Sequence, residues 1–187
     1  MNISEELIKE HQLIMKVIGS MVKLSDCHEN LVDTIFLELA HRFVLFVEEF
    51  ADDYHHAKEE DILFYHLAQP GVLEHCNPIG QMLHEHDIAR DSLNVVRQGV
   101  STKDCQLIRS GIHKYSEVLT QHIFKENNIL YPMAENQLSE QVKKVINQSY
   151  EAIELNRNKQ KLWKRQLDFV EELDRLVVES LNQIPVN

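Results

Sequence analysis

Apolar residues recur every three or four positions along almost the whole chain, which is the periodicity of amphipathic α-helices. This pattern predicts four long helices and one or two further ones, over residues 4–24, 30–68, 78–98, 101–135 and 139–182. Ser4 is expected to cap the first helix, and Gly99 to end the third. The chain is therefore predicted to be all-α, an up-down four-helix bundle of two helical hairpin repeats with additional C-terminal helices.

The composition agrees with long helices joined by few turns. The 187 residues include only 5 Gly and 4 Pro, whereas average usage is about 7% Gly and about 5% Pro. We predict a bundle domain over residues 1–136 and a helical extension over residues 137–187. An apolar stripe in the extension is expected to pack on the bundle or to form a homodimer, and it comprises Trp163, Leu167, Val170, Leu173, Val177 and Leu181.

The charge of the chain excludes some classes of partner. Lys and Arg number 19 against 30 Asp and Glu, a formal net charge of −11, so the basic surface that nucleic acids require is not expected. The longest apolar run, residues 43–47, is too short to span a membrane. Cys27, Cys76 and Cys105 form no CxxC pair, which argues against a disulfide framework or a zinc ribbon. Since the start shows no signal-peptide pattern, we expect a cytoplasmic protein.

An internal repeat relates the second and fourth predicted helices. The run HHAKEEDILF at residues 55–64 aligns without a gap on HIFKENNILY at residues 122–131, with identical His, Lys, Glu, Ile and Leu. A weaker similarity relates the first and third helices, where Glu10-His11 corresponds to Glu85-His86. Two hairpins, each with a His helix and a His-x-x-x-Glu helix, would bring these residues to one shared centre.

The histidines and glutamates of the repeat interrupt apolar faces of their helices. In the fourth helix, one stripe is formed by Ile108, Ile112, Tyr115, Leu119, His122, Glu126, Ile129 and Met133. His11 and His86 lie on apolar faces in the same way. A His and a Glu one turn apart share a helix face, and an ionised Glu in a dry core is costly unless it is paired or binds a metal. Four inward His and two inward Glu predict two metal ions, each with two imidazoles, bridged by two carboxylates.

The second helix offers two candidate pairs on neighbouring faces. His55 with Glu59 and His56 with Glu60 are both i, i+4 pairs. The flanking apolar stripe slightly favours His56 and Glu60, whereas the gapless repeat alignment favours His55 and Glu59. We prefer the alignment, because two hairpins around one centre should use equivalent positions. His56 and Glu60 are then candidates for residues that surround the ligands.

Each part of this pattern also has a metal-free interpretation. A single His on an apolar face is more often a hydrogen-bonded core residue. A His-x-x-x-Glu pair more often lies on the surface, where it contributes a few tenths of a kcal/mol. A duplicated bundle that serves as a metal-free interaction module is therefore an alternative. The coincidence of two intact repeat copies with an inward His on both partner helices favours metal.

The two repeated runs and the two Glu-His pairs resemble the hemerythrin-like, or HHE cation-binding, domain over residues 1 to about 135. The resemblance implies a four-helix bundle with two non-haem iron ions, although imidazole and carboxylate ligands also suit zinc and manganese. Its implied ligands are His11, His55, Glu59, His86, His122 and Glu126, with Glu59 and Glu126 bridging. Oxygen-carrying hemerythrins have a further His where this chain has Met82, and an Asp at a longer spacing than Glu126. Both differences make the chain more similar to the di-iron domain of iron–sulfur repair proteins.

Two functions follow from this resemblance, and the sequence leaves open whether either is enzymatic. The first is binding, sensing or detoxifying a small ligand at the two irons, namely O2, NO or hydrogen peroxide. The alternative is repair of iron–sulfur clusters, or donation of iron to them. No Gly-rich phosphate loop, nucleotide motif or Ser-His-Asp arrangement indicates an organic substrate.

Overall fold

A computed structural model of the protein describes residues 2–27, 29, 32–73 and 77–182, and within these ranges it contains helices and no strand. We number six helices in chain order. They are α1 (Glu5–Asp26), α2 (the continuous run Asp33–Phe46, Val47–His56, Glu59–Phe64 and Tyr65–Leu67), α3 (Ile79–Thr102), α4 (Cys105–Lys125, Glu126–Leu130 and Tyr131–Gln137), α5 (Glu140–Asn156) and α6 (Lys159–Leu181). The all-α prediction is confirmed.

Helices α2 and α4 contain π-helical turns, over Val47–His56, Glu59–Phe64 and Glu126–Leu130. A π-turn bonds residue i to residue i+5. After each π-turn, the core-facing positions therefore lie further along the sequence than a 3.6-residue period predicts. In α4 the buried face therefore continues through Leu130, and Ile129 is 48% exposed. The predicted stripe is thus wrong beyond Glu126.

Three helix ends differ from the sequence-based predictions. Gly99 lies inside α3, whose last residue is Thr102. The residue that caps this end is Lys103, which has the left-handed conformation with φ 56°. The cap of α4 is Asp104, whose side chain accepts a bond from the Leu107 amide at 3.0 Å. The Ser4 side chain makes no capping bond at the start of α1. Its hydroxyl instead donates to Glu135 Oε1 at 2.8 Å, which ties α1 to the end of α4.

The core consists of two apolar clusters that follow one another along the long helices. The larger cluster includes Ile14 of α1, Phe50 of α2 and Leu119 of α4. The smaller one includes Leu7 of α1 and Leu130 of α4, together with residues of α5. On each long helix the polar segment that contains the predicted ligands lies between the two clusters.

Helix α6 buries one face inside the same chain. Trp163 packs edge-on against Phe50, with ring centroids 5.4 Å apart, and the Ser20 hydroxyl donates to Asp174 at 2.7 Å. The buried apolar residues of α6 are Leu162, Phe169, Val170, Leu173 and Val177. The predicted stripe is therefore partly wrong, because Leu167 and Leu181 are 45% and 48% exposed.

No helix in the described ranges has the length and apolar character needed to cross a membrane.

Helices α3 and α4 approach closely at Gly111, and this contact allows a stability test. A Cβ at Gly111 would lie 2.7 Å from Val96 Cγ2 and 2.9 Å from the Val96 backbone nitrogen. Because the backbone of α3 cannot yield cheaply, we expect Gly111→Ala to destabilise the protein by about 1–3 kcal/mol in chemical denaturation.

The matched control is Gly19→Ala in α1, where a Cβ would meet no atom within 4 Å. This substitution should stabilise the helix by about 0.5–1 kcal/mol, because alanine loses less backbone entropy on folding. Equal effects of the two substitutions would contradict the close packing of α3 on α4.

Candidate metal centre

The six ligands that the sequence predicts come from four helices and meet in the layer between the two apolar clusters. Helix α1 provides His11, α2 provides His55 and Glu59, α3 provides His86, and α4 provides His122 and Glu126. All six side chains are buried.

These six residues form two overlapping groups. The first comprises His11, His55, Glu59 and Glu126, and the second comprises Glu59, His86, His122 and Glu126. Within each group, one potential ligand atom of every residue lies within 4.8 Å of the others. Each group therefore has two imidazoles of its own and shares both carboxylates with the other group.

The Nε2 atoms of the four imidazoles point at the shared carboxylates. Glu126 Oε2 lies 3.2 Å from His11 Nε2, and Glu126 Oε1 lies 3.1 Å from His122 Nε2. Glu59 Oε2 lies 3.4 Å from His55 Nε2 and 3.6 Å from His86 Nε2. Nitrogen and oxygen donors arranged in this way suit a first-row transition metal.

Several buried atoms of the centre lack the partners that buried polar atoms normally have. Glu59 Oε2 and both carboxylate oxygens of Glu126 make no hydrogen bond with any described residue. His86 Nε2 and His122 Nε2 lie only 2.8 Å apart, so their lone pairs would repel without a proton or a cation between them. The donor set therefore fits bound cations.

The pKa values of the two carboxyl groups diverge. Burial, together with the nearby Glu126, raises the pKa of Glu59 well above its usual value. Burial also acts to raise the pKa of Glu126, but His122 and His11 outweigh it and hold that pKa well below the usual value. Of the two carboxyl groups, Glu59 is therefore the one that holds a proton more readily. Bound cations would supply compensating charge to both carboxylates.

Burial also keeps two of the imidazoles neutral. It lowers the pKa of His55 well below its usual value and lowers the pKa of His86 to about 4. A neutral imidazole is the form that binds a metal, so these side chains are in the ligating state near neutral pH.

Each of the four imidazoles has a polar partner at Nδ1, the ring nitrogen that faces away from the centre. Glu10 lies 2.9 Å from His55 Nδ1, and Glu85 lies 3.0 Å from His122 Nδ1. The other two contacts are Glu60 to His86 Nδ1 at 2.6 Å and Asn127 to His11 Nδ1 at 2.8 Å. A partner at Nδ1 fixes the tautomer and leaves the Nε2 lone pair free for a metal.

These outer contacts follow the sequence repeat. Glu10 and Glu85 each precede a candidate ligand and bond to the His of the neighbouring helix, and Glu60 aligns with Asn127. The signal for Glu10 and Glu85 was present in the repeated Glu-His pair, but sequence reasoning assigned them no role.

The lysine of the repeat forms an ion pair next to the centre in both copies. Lys58 is fully buried, and its Nζ lies 2.6 Å from Glu10 Oε1. Its repeat equivalent, Lys125, pairs with Glu85. Both lysines therefore neutralise a carboxylate that orients a candidate ligand.

The second pair of α2 lies beside the centre. The His56 ring stacks on the His86 ring at 3.8 Å, and its Nδ1 lies 2.8 Å from Asp52. Glu60 contacts His86 Nδ1 and also accepts a bond from Arg90 at 2.6 Å. His56 and Glu60 thus both contact the candidate ligand His86, and their role around the ligands stays a prediction.

The remaining histidines and cysteines lie away from the centre or outside the described residues. His41 and His84 are exposed, His66 is half-buried, and His113 bonds to Asp26 at 2.9 Å. Cys27 and Cys105 are free thiols. His28, His75 and Cys76 lie outside the described residues.

Tyr131 is a polar residue of the centre that sequence reasoning placed only as a repeat equivalent of Phe64. Its hydroxyl donates to Glu59 Oε1 at 2.6 Å and lies 3.3 Å from His11 Nε2. The difference between tyrosine and phenylalanine at the end of the repeat was a visible signal for this asymmetry.

Comparisons with known proteins agree with this geometry. The iron-sulfur cluster repair protein YtfE of Pectobacterium carotovorum subsp. carotovorum (strain PC1) is 39% identical over 88 residues, which are 43% of this chain and 40% of the relative. YtfE of Dickeya chrysanthemi (strain Ech1591) is 36% identical, and YtfE of Escherichia coli O81 (strain ED1a) is 34% identical, over matches of the same extent. The chain thus matches well under half of these relatives' length.

No solved structure shows a significant match to the chain. The family described as the hemerythrin HHE cation binding domain matches residues 2–134, a range that contains all six predicted ligands. The chain belongs to the hemerythrin HHE cation-binding domain family.

Proposed function

We propose that the protein holds a non-haem di-iron centre. His11 and His55 would bind one iron, His86 and His122 would bind the other, and Glu59 and Glu126 would bridge the two. The observation that carries this proposal is that Glu59 Oε2 and both carboxylate oxygens of Glu126 are buried and make no hydrogen bond within the part of the chain that the structure describes. Iron, rather than zinc or manganese, is favoured by the YtfE relatives, whose name refers to iron–sulfur clusters.

The same proposal includes the arrangement of the chain. Helices α1 to α4, within residues 1–136, would form an up-down four-helix bundle around the centre, with residues 137–187 as an extension. Support for packing of the extension on the bundle comes from the contacts of α6, in which Arg42 of α2 donates two bonds to Glu172 at 3.0 and 2.8 Å. We therefore favour this packing over a homodimer formed through α6.

The reaction that we propose is the binding, sensing or removal of O2, NO or hydrogen peroxide. Two imidazoles and two shared carboxylates would leave room for a further ligand at each iron, and a di-iron centre would supply two electrons for exchange with such a ligand. The protein residues would orient the imidazoles through Glu10, Glu60 and Glu85. They would also exclude bulk water, since every candidate ligand is buried, which favours a small ligand over a large one.

Repair of iron–sulfur clusters by iron donation is the second candidate, and one surface feature favours it besides the names of the relatives. A hollow of about 410 Å³ is lined by the acidic residues Asp52, Asp53, Glu60 and Asp61, together with His56, Ala57, Arg90 and Arg157. Glu60 lies in this hollow and also contacts His86. Arg90 pairs with Asp52 and Glu60, and Arg157 pairs with Asp53, so a cation that moves between solvent and the centre along these carboxylates would have to displace the arginines.

Anaerobic metal quantification of the full-length protein, produced with iron supplied, tests the proposal. We expect about two irons per chain and new absorption bands on exposure to oxygen or NO. A protein that contains no bound metal would overturn the di-iron centre and leave the metal-free interaction module.

Incubation of the iron-loaded protein with an apo iron–sulfur protein then separates the two functions. Transfer of iron and recovery of the cluster would support the repair role. Iron that stays bound, with reversible binding of NO, would support the small-ligand role.

A further inference from the structure

The internal repeat is broken at one position inside the centre. Tyr131 of α4 aligns with Phe64 of α2. The ring of Tyr131 stacks on His11, with centroids 5.5 Å apart and an interplanar angle of 8°. The ring of Phe64 faces His86, with centroids 6.0 Å apart and an angle of 18°. The two aromatic rings thus take equivalent places, but only the α4 copy brings a hydroxyl.

That hydroxyl makes the two shared carboxylates different. Tyr131 donates to Glu59 Oε1 at 2.6 Å, so Glu59 has only Oε2 left without a partner. Glu126 keeps both oxygens free, with Oε2 towards His11 and Oε1 towards His122. Glu126 can therefore offer one oxygen to each metal position. Glu59 offers the single oxygen Oε2, which lies between His55 and His86.

We propose that Tyr131 is a positioning residue that holds Glu59 so that only Oε2 faces the two metal positions. The inference rests on the proposed di-iron centre and assigns a role to a residue outside its ligand set. A hydrogen bond to the second oxygen opposes rotation of the carboxylate into a position where both oxygens face the metal positions. Removal of such an outer contact typically costs about 10–100-fold in metal affinity.

The test uses Co(II) as the probe, because the intensity of its visible bands reports the number of ligands around each ion. Tyr131→Phe keeps the ring and removes only the hydroxyl. At two Co(II) per chain, we expect its visible spectrum to differ from that of the wild type, and its Co(II) affinity to fall about 10-fold or more. Unchanged spectrum and affinity would overturn the proposal.

Tyr115→Phe is the matched control. Tyr115 is a buried tyrosine of α4 whose hydroxyl makes no hydrogen bond with any described residue. This variant should keep the wild-type spectrum and affinity. The same spectral change in both variants would mean that any lost hydroxyl perturbs the bundle, which would also overturn the specific role of Tyr131.

Phe64→Tyr keeps the proposal falsifiable if Tyr131→Phe does not fold. It places a hydroxyl at the repeat-equivalent position, where it should engage Glu126 and change the Co(II) bands while Tyr131 remains. Bands identical to those of the wild type would contradict the inference.

A wild-type protein that binds fewer than two Co(II) would overturn the proposed centre itself, whereas two ions with identical bands in all variants would overturn only the role of Tyr131.

Discussion

Replacing Glu126 by glutamine should remove tight iron binding at both metal positions at once. Glu126 belongs to both candidate ligand groups, with one oxygen near His11 and the other near His122. Glutamine keeps the shape of the side chain, but it has no negative charge. An amide nitrogen also takes the place of one of the two carboxylate oxygens. Since one metal position loses its oxygen ligand and the other keeps only a neutral amide oxygen, the fall in affinity should exceed the roughly 100-fold that loss of an outer contact can cause.

Iron quantification after anaerobic loading and desalting measures this effect. The control is Glu117→Gln on the same helix, because Glu117 is exposed and, among the described residues, forms an ion pair only with Lys114, at 2.9 Å. The control should retain wild-type iron. Two irons per chain in the Glu126 variant would show that the carboxylate is not a shared ligand, whereas one retained iron would show that the remaining amide oxygen suffices for one position.

The second large effect is a loss of stability that we expect on replacing Lys58, the fully buried lysine beside the centre. Its ammonium contacts Glu10 at 2.6 Å and Glu154 of α5 at 2.8 Å, and it lies 4.0 Å from the centroid of the Tyr54 ring. Lys58→Met would leave Glu10 buried without its counter-charge. Breaking a buried pair costs about 3–5 kcal/mol, and we expect about 3 kcal/mol because Glu10 can take up a proton instead.

For a chain of this length, such a loss lowers Tm by about 6–12 °C, which thermal unfolding of the metal-free protein can measure. Lys125→Met is the matched control from the repeat. Lys125 also pairs with a carboxylate, Glu85, but its side chain is 32% exposed, so solvent should reduce the cost. An equal effect of both variants would show that burial of Lys58 does not govern its contribution.

The pH dependence of the Lys58 variant has a defined sign. Burial raises the pKa of Glu10 to about 7, and Lys58 limits the increase. An acid whose pKa is higher in the folded state loses stabilisation as pH rises towards that folded pKa. Without Lys58 the folded pKa would lie above 7, so the deficit of the variant relative to the wild type should grow as pH rises past 7. The double variant with Glu10→Gln should lose this pH dependence.

Much of the candidate site could be predicted because two independent signals coincided. The apolar stripes placed His11, His86 and His122 on inward faces, and the gapless repeat related His55 and Glu59 to the fourth-helix pair. Family membership over residues 2–134 and the all-α fold are the parts of the prediction that are confirmed. The ligand set remains a proposal that the structure makes concrete.

The misleading apolar stripes of α2 and α4 have a common physical cause, which is the π-helical geometry of these two helices. An extrapolated 3.6-residue period favoured His56 and Glu60 in α2, and placed Ile129 inside. Within the π-turns His55 and Glu59 are buried together with Leu63, and His56 is also buried, whereas Glu60 is only half-buried. Sequence periodicity cannot locate such a turn, because the extra residue is accommodated by packing between helices. The repeat alignment avoided this error because it compares two helices that carry π-turns around the same motif.

The outer contacts were harder to predict for a different reason. Glu10 bonds to His55, and Glu85 bonds to His122, so each contact joins two helices whose relative rotation the sequence does not specify. Tyr131 likewise reaches Glu59 across the bundle. Composition and spacing identify which face of one helix is polar, but a hydrogen bond between helices depends on how both helices are rotated.

The position of the candidate centre between two apolar clusters bears on how cooperatively the molecule unfolds. The long helices run through both clusters, so the polar layer interrupts the hydrophobic core without interrupting the secondary structure. Without bound cations, this polar layer would supply little apolar burial to connect the two clusters. Each cluster could then unfold locally with its own free energy. Bound cations would link four helices at this level. Their occupancy would thereby determine whether the chain behaves as one cooperative unit or as two.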